Sequence, residues 1–316
     1  MQVHTYTEQL PEFRKAVVTI GTFDGVHLGH RKIISQLQEE ADAIGGETII
    51  ITFHPHPRNV VKNAEPVRLI STIEERIELL RSHGIDHMVI VPFTESFSTM
   101  PATEYVEEFL MRRFHPHTVM IGYDHRFGNR REGDFRLMEK YSAQNHFWLK
   151  EIPAQIIDNN TVSSTEIRKS IREGNIALAN NALGYSFFFS GIVVKGNQLG
   201  RKLGFPTINL SLKDAQKLVP GDGVYAVWVS ASDDSLAHNK LGGMMSIGIR
   251  PTIQDSERTI EVNIFDFKGD LYDREIRVEL VQYLRPELKF GSLDELIEQM
   301  KKDEARSREF LGLVNH

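Results

Sequence analysis

The pattern of apolar residues changes near Gly184, and this change constrains the fold more than any other feature of the 316-residue chain. Before it, short β-rich runs alternate with longer amphipathic segments, which is typical of a parallel sheet covered by helices. After it, β-branched and aromatic runs follow one another between Gly, Pro, Asp and Asn clusters, which is typical of an antiparallel barrel or sandwich. We therefore expect two domains, an α/β domain over residues 1–183 and a β-barrel domain over residues 184–316.

The same periodicities predict the individual elements. Strands of the first domain are expected at 16–21, 47–53, 87–92, 118–122 and 147–152, with helices at 29–44, 72–83, 103–114 and 133–145. Strands of the second domain are expected at 185–195, 223–231, 242–249, 258–267 and 275–284, followed by a terminal helix at 292–312. Three hydroxyl and carboxylate pairs match the capping box at a helix start, namely Ser71 with Glu74, Ser163 with Glu166, and Ser292 with Glu295.

Composition narrows the chemistry and the partners. The chain has no cysteine, which excludes disulfides, thiolate zinc sites and cysteine nucleophiles. Its net charge of −6 disfavours non-specific nucleic-acid binding, which needs a basic face. No apolar run approaches the roughly 18 residues of a membrane span, and the amino terminus lacks the apolar core of a signal peptide. We expect a cytoplasmic protein with small-molecule substrates and neither nucleic-acid nor membrane partners, and the sequence leaves homo-oligomerisation open.

The first candidate site is the stretch GTFDGVHLGH at residues 21–30, directly after the first strand. His27 and His30 are three residues apart, so both imidazoles project from one face of the first helical turn. The unpaired amides and positive end of a helix attract phosphate there. The alternative without a binding function is a glycine-rich turn with two solvated histidines. The predicted ATP contacts in this stretch are Gly21, Phe23, Asp24, Gly25 and Gly29.

Three further segments accompany this stretch, and two of them follow later strands of the predicted sheet. TFHPHP (52–57) follows the second strand and GYDHRFG (122–128) follows the fourth, and the carboxyl ends of parallel strands form one binding edge. Their histidines, if structural, would merely cap a strand. In SSTEIR (163–168), Ser164 and Thr165 can donate hydrogen bonds to phosphate and Arg168 adds a planar cation, although an ordinary helix cap would explain Ser163. The three segments predict one shared site with the histidine pair.

A second candidate site lies in the barrel half. The run GIVVKGNQLGRKLGFPTIN (191–209) places glycines and cations around a turn, and backbone amides in such a loop can cradle phosphates. Thr207 and Asn209 are two residues apart, so on an extended segment both face one side and can ligate Mg²⁺. Glycines at ordinary barrel turns are the alternative. The candidate ATP-binding residues of the run are Gly191, Lys195, Gly196, Gly200, Arg201 and Gly204, with Lys202 as a further cation.

Glu261 is the candidate general base of this half. It lies in a predicted strand whose apolar face carries Ile260, Val262 and Ile264, so Glu261 shares the opposite face with Asn263. A carboxylate can accept the proton of a primary alcohol when the geometry allows. A strand glutamate that is simply solvated is the alternative.

Together these motifs resemble the bacterial bifunctional riboflavin kinase/FAD synthetases. GTFDGVHLGH, TFHPHP, GYDHRFG and SSTEIR are similar to the adenylyltransferase module, a Rossmann-like domain of the HxGH nucleotidyltransferase superfamily. GRKLGFPTIN, PGDGVYA, SIGIRPT, EVNIFDF, GDLYD and LRPELKF are similar to the riboflavin kinase domain, a small antiparallel barrel. The resemblance implies that the barrel phosphorylates riboflavin with ATP and Mg²⁺, and that the first domain moves AMP from ATP onto FMN, giving FAD and pyrophosphate.

The resemblance also implies roles for individual residues. It makes His27, His30, Ser164, Thr165, Arg168 and Glu261 catalytic, with Thr207 and Asn209 at the metal. It implies flavin contacts at His54, Pro55, His56, Asp124, His125, Phe127 and Arg285. Three positions depart from the family pattern: His125 replaces the usual Phe, Ser246 the common Asn, and Asp273 a frequent Gly.

Other functions explain less of the chain. An HxGH transferase acting on a pantetheine or nicotinate phosphate leaves the barrel without a role. An HxGH adenylyltransferase carrying a non-catalytic flavin-sensing barrel is disfavoured by Thr207, Asn209 and Glu261 together, since a sensor needs no base. A tRNA synthetase is disfavoured by the acidic charge balance.

Overall fold

The chain divides into two compact units in a computed structural model, which describes residues 1–6, 9–62, 64–144, 146–153, 163–196, 200, 204–231, 240–251 and 256–313. The first unit is Met1–Ser164 and the second is Thr165–His316. The predicted boundary at 183/184 stays a prediction. Within the described ranges, no helix has both the length and the apolarity that a membrane crossing requires.

The first unit is built on a six-stranded sheet in which all neighbouring strands are parallel. Its spatial order is β1-β4-β3-β2-β5-β6. The strands are β1 Gln2–Thr5, β2 Ala16–Ile20, β3 Glu47–His54, β4 His87–Pro92, β5 Thr118–Gly122 and β6 Trp148–Ile152. The chain winds outward from β2 in both directions, so the crevice between β2 and β5 is the switch point at which such sheets bind ligands.

Helices connect these strands, and all but the short helix Glu95–Ser98 fall where the periodicity predicts them. They are α1 Leu28–Ile44, α2 Ile73–Arg81, α3 Glu95–Ser98, α4 Ala102–Glu104, α5 Arg112–Phe114 and α6 Phe135–Ala143, with a π-helical stretch Tyr105–Met111 joining α4 to α5. Alternate residues of the central strands serve opposite faces: Val18 and Ile51 enter one apolar cluster, whereas Val17 and Ile50 enter the other. Burial on both faces explains the continuous apolar runs of β2 and β3.

One predicted capping box is wrong by one residue. Thr72 is the N-cap residue of helix α2, and its hydroxyl accepts from the amide of Glu75 at 3.3 Å, while the Glu75 carboxylate accepts from the Thr72 amide at 2.9 Å. Ser71 and Glu74 offer the same chemistry one position earlier. The shift occurs because the Ser71 hydroxyl is used elsewhere, in a tertiary contact with Asp24.

The second unit is a closed antiparallel barrel with the order β10-β11-β8-β7-β12-β9. Its strands are β7 Phe188–Val194, β8 Thr207–Leu212, β9 Gly223–Ala231, β10 Leu241–Pro251, β11 Ser256–Ile264 and β12 Glu275–Arg285. Helices α7 Ser164–Arg172 and α8 Ile176–Leu183 precede the barrel and α9 Leu293–Phe310 follows it. The Ser292 hydroxyl caps α9 by accepting from the Glu295 amide at 3.2 Å. The predicted α/β and barrel architectures are confirmed.

Candidate active sites

The two histidines of GTFDGVHLGH lie face to face at the start of α1. His27 is the N-cap residue, and its Nδ1 accepts from the His30 amide at 3.4 Å. The two rings stack with centroids 3.7 Å apart, and the Phe23 ring lies 4.9 Å from His30. The Nδ1 atom of His30 is buried and has no hydrogen-bond partner in the described part of the chain. The site therefore presents two imidazoles at the amino-terminal end of a helix, which suits an anionic ligand.

Electrostatics keep His30 neutral when no ligand is bound. Burial lowers the pKa of His30 well below its ordinary value, and the neighbouring His27 and Arg76 lower that pKa further. A polyanion placed against the ring would oppose these effects. We therefore expect ligand binding to favour proton uptake by His30.

The loop before α1 has an unusual backbone. Phe23, Gly25 and Val26 have φ angles of 47°, 81° and 37°, and such angles are costly for residues other than glycine. A Cβ atom at Gly25 would lie 2.7 Å from Cγ2 of Ile70, so the loop also passes close to the segment before α2. This conformation directs the chain from β2 into α1.

A buried carboxylate anchors this loop. Asp24 is fully buried and accepts hydrogen bonds from the amides of Ile70 and Ser71 at 3.1 and 2.8 Å and from the Ser71 hydroxyl at 3.1 Å. The Gly25 amide in turn donates to the Ser71 hydroxyl at 2.8 Å. The Asp24 side chain thus supports the loop, and its predicted contact with ATP stays a prediction.

The loops after β3 and β5 mix exposed and structural residues. His56 is buried and its Nδ1 accepts from the Arg58 amide at 3.2 Å, so it caps a 3-10 turn, whereas His54 is half-buried at the end of β3, before a cis bond to Pro55. Phe127 is buried and stacks on Tyr105 with centroids 4.8 Å apart.

His125 and Asp124 differ in their surroundings although they are adjacent. Asp124 is exposed, whereas the His125 ring lies 5.7 Å from Phe127 and its buried Nε2 has no hydrogen-bond partner among the residues described. Burial lowers the pKa of His125 to about 4, against the opposing influence of Asp124. His125 is therefore a neutral, partly buried ring.

The SSTEIR segment straddles the division between the units. The Ser164 hydroxyl donates to the backbone carbonyl of Asp24 at 3.2 Å, which brings it to the histidine loop. Thr165 is exposed and Arg168 is buried, and both belong to the second unit. Their predicted phosphate contacts stay predictions.

In the barrel, Glu261 lies between two predicted metal ligands. Glu261 of β11 pairs with Asn209 of β8, and two residues further along, Asn263 pairs with Thr207 on the same side of the strands. The Thr207 hydroxyl lies 3.4 Å from a Glu261 carboxylate oxygen. Ile260, Val262 and Ile264 are buried on the opposite face, as the alternation predicts. Strand pairing thus gathers three oxygen-bearing side chains at one point.

Two cavities border Thr207. One, of about 260 Å³, contains Glu261 and Asn263 and is walled by apolar side chains of β9, β10, α9 and the segment before α9, namely Val224, Met244, Met245, Leu288, Phe290, Leu296 and Met300. The other, of about 280 Å³, is bordered by Ile208, Val262 and Ile264, and by Phe267, Lys268, Gly269, Asp270 and Tyr272 among others. Thr207 lines both, whereas Glu261 lines only the first. The carboxylate therefore faces the cavity with the apolar wall.

The glycine run before β8 packs closely against this point. A Cβ atom at Gly196 would overlap the Asn209 amide, and one at Gly200 would lie 3.3 Å from the Thr207 hydroxyl. At Gly191 it would lie 2.9 Å from the carbonyl of Ser211, and Gly204 has a φ of 85°. Lys195 is exposed. Arg201 and Lys202 lie outside the described residues.

Sequence comparisons match each unit separately. Residues 9–166 match the FAD synthetase family, and residues 183–311 match the riboflavin kinase family. The protein named bifunctional riboflavin kinase/FMN adenylyltransferase in Escherichia coli strain K12 is 36% identical over 298 residues, which cover 94% of this chain and 93% of that protein. The chain belongs to the bifunctional riboflavin kinase/FMN adenylyltransferase family. The predicted resemblance is confirmed.

Other members and a solved structure extend over equally long stretches. The bifunctional riboflavin kinase/FMN adenylyltransferase of Listeria monocytogenes is 36% identical over 97% of this chain and 95% of its own. A crystal structure from Streptococcus pneumoniae, described as a macrolide-efflux protein, superposes with a TM-score of 0.85 at 28% identity and covers 97% of this chain and 98% of that one. Both units of this chain are therefore present, in one chain, in each of these proteins.

Arg285 has a partner that the motif LRPELKF did not reveal. Its guanidinium forms a forked ion pair with the buried carboxylate of Asp303 in α9, at 2.7 to 3.0 Å, and Gln299 donates to the same carboxylate at 2.9 Å. The pair fastens α9 to the end of β12, next to the wall formed by Leu296 and Met300. The predicted flavin contact of Arg285 is not tested by this geometry.

Proposed function

We propose that this chain phosphorylates riboflavin to FMN in the barrel and then adenylylates FMN to FAD at the histidine pair of the first unit. The observation that carries the kinase assignment is that Glu261 and Thr207, whose side-chain oxygens lie 3.4 Å apart, both line the cavity with the apolar wall. The cavity with an apolar wall suits an isoalloxazine ring, and the cavity with Lys268 suits a nucleotide. Family membership supports both reactions.

In the kinase reaction, Glu261 is the general base. Its carboxylate accepts the proton of the terminal ribityl hydroxyl as that oxygen attacks the γ-phosphorus of ATP, and ADP leaves. Asn263 and Thr207, on the same side of the barrel wall, orient the reacting groups. The glycine run approaches closely enough for its amides to bind phosphate.

A magnesium ion fits the oxygen atoms present. Thr207 and Asn209 offer neutral oxygens beside the Glu261 carboxylate, and Mg²⁺ commonly binds few protein ligands together with substrate phosphates. Among the described residues, no cluster of three or more histidines and acids could hold a metal alone. We assign Thr207 and Asn209 as the protein ligands, and the ion would neutralise charge on the transferred phosphoryl group.

In the adenylyl transfer, the FMN phosphate attacks the α-phosphorus of ATP and pyrophosphate leaves. This step needs no nucleophile from the protein, because positioning and charge stabilisation suffice. His27, His30 and the first amides of α1 bind the phosphates together with Ser164 of the same unit, while the phosphate roles of Thr165 and Arg168 stay predictions from the sequence. His54, Pro55, His56, Asp124 and His125 remain the proposed flavin contacts, while Phe127 acts from the core.

Separable loss of the two activities tests these assignments. The purified protein is incubated with riboflavin, ATP and Mg²⁺, and FMN and FAD are resolved over time. His27→Ala should abolish FAD formation and leave FMN formation unchanged. Glu261→Gln should slow FMN formation by about 10²- to 10⁴-fold, while FAD formation from supplied FMN continues.

Each variant is the control for the other, since both proteins carry one intact site. Loss of both activities in either folded variant would contradict the two-site assignment. Cytoplasmic location, lack of nucleic-acid partners and any homo-oligomerisation stay predictions from the sequence.

A further inference from the structure

Arg76 is a fully buried arginine behind the histidine site, and the motifs of the sequence do not include it. It lies in the first turns of α2 and is 1% exposed. Its Nη1 donates to the Thr52 hydroxyl at 3.2 Å, and its Nη2 donates to the Ser71 carbonyl at 3.4 Å and lies 3.9 Å from the Asp24 carboxylate. One guanidinium therefore joins β3, the segment before α2 and the loop before α1.

Two hydroxyl groups, those of Thr52 and Ser71, link the surroundings of Arg76 to the loop before α1. Because a guanidinium can only donate, the Thr52 hydroxyl accepts from Arg76 and directs its own proton to the Thr22 carbonyl, at 3.1 Å. The Ser71 hydroxyl accepts from the Gly25 amide and donates to Asp24. Most of this network is buried and its donors and acceptors match, so removing one member leaves others unsatisfied.

The loop needs such support because of its backbone. Phe23 and Val26 hold positive φ angles, and strained conformations of this kind persist only where surrounding contacts determine them. Val26 directly precedes His27, whose side chain caps α1. The loop that the network holds therefore leads directly into the histidine pair.

We propose that Arg76 is a positioning residue for adenylyl transfer, whose buried guanidinium fixes residues 22–26 through Thr52, Ser71 and Asp24 and so sets the place of His27 and His30. The inference rests on the proposed function of the histidine pair. Arg76 itself touches no substrate.

Arg76→Met tests the proposal, with Arg81→Met as a matched control because Arg81 is an exposed arginine of the same helix. Arg76→Met should lower kcat for FAD formation from FMN by about 100-fold, the scale of a misplacement near 1 Å. FMN formation by the barrel should not change. Arg76→Lys keeps the charge and should recover part of the loss. Arg81→Met should match the wild type in both reactions.

A second readout separates positioning from loss of structure. His30 faces His27 and Arg76, and the Arg76 charge helps to lower its pKa. In Arg76→Met, NMR titration of the imidazole should show a raised pKa for His30, whereas Arg81→Met should leave it unchanged. The shift shows that the histidine site of the variant is folded, so kcat is then referred to the folded fraction; a loss of activity that only followed the unfolded fraction would overturn the proposal.

Arg76→Met leaves Asp24 without its cation and is the variant at greatest risk of unfolding. Thr52→Val then decides, since it is nearly isosteric and removes only the hydroxyl link: FAD formation should fall about tenfold. FAD formation within threefold of Arg81→Met in the folded Arg76 or Thr52 variant would overturn the inference. If His27→Ala also retained FAD formation, the proposed adenylyltransferase site would be wrong. If His27→Ala abolished FAD formation and the Arg76 variant retained it, only the role of Arg76 would be wrong.

Discussion

His125 makes the stability of the first unit depend on pH, and His125→Phe should remove its share of that dependence. Burial lowers the pKa of His125 from 6.5 to about 4 in the folded protein. Between these values the unfolded chain binds a proton that the folded protein does not, so acidification favours unfolding. The contribution of neutral His125 to the stability of the folded protein is complete above about pH 6.5 and is lost progressively as the pH falls toward 4.

The size of the effect follows from these two pKa values. Between about pH 7.5 and pH 5, preferential protonation of the unfolded state costs roughly 2 kcal/mol. Phenylalanine has no titrating group, so the variant should lose about 2 kcal/mol less than the wild type over this range. It also removes the orphan Nε2, which should raise stability at neutral pH by about 1 kcal/mol.

Hydrogen exchange of the buried amides of β2 and β5 is the suitable assay, because it reports the first unit within the intact chain. Opening free energies are compared at the two pH values after correction for intrinsic exchange. The pKa values of His4, His30 and His83 are also lowered, so the wild-type loss exceeds that of His125 alone. The difference between wild type and variant isolates His125.

His146→Phe is the control, since His146 is exposed in the same unit. It should keep the pH dependence of the wild type. Equal acid sensitivity of His125→Phe and the wild type would refute the reasoning, because it would mean that His125 is protonated as readily in the folded protein as in the unfolded chain.

Two further changes follow from contacts in the two units. Arg285→Met should destabilise the second unit toward urea by about 3 kcal/mol, because it strands the buried Asp303 carboxylate, and should raise the KM for riboflavin; recovery of stability in Arg285→Met with Asp303→Leu would confirm the cause. Gly25→Ala should slow FAD formation at least tenfold without affecting FMN formation, because its φ is 81° and the new Cβ meets Ile70; an unaffected rate of FAD formation would contradict this.

The predicted strands were confirmed wherever the sequence carries a continuous apolar run, as in β2 and β3, because strands buried on both faces need little else. Two strands were missed. β1, Gln2–Thr5, is a short and mostly exposed edge strand with a polar sequence. β8, Thr207–Leu212, was expected only as an extended segment, since Thr, Asn and Ser interrupt its apolar pattern. Both are held by pairing with neighbours rather than by their own composition.

The candidate sites divide in the same way. Residues that face a ligand cluster in short motifs, so His27 and Glu261 could be found from local spacing. Residues that hold those motifs in place come from distant parts of the chain. Arg76 reaches a loop 50 residues earlier, and Asp303 meets Arg285 from another helix. Only the folded chain reveals such partners, because nothing in a local pattern encodes them.

The side chains of the two sites are held in position by different contacts, and this difference predicts which substitutions will disturb each site. In the barrel, the backbone hydrogen bonds between β8 and β11 fix the positions of Thr207, Asn209 and Glu261. These backbone bonds depend little on which side chains the neighbouring residues carry. At the histidine pair, a strained loop depends on a buried polar network whose members are each replaceable only at high cost. Substitutions far from ligands should therefore impair FAD formation more often than FMN formation.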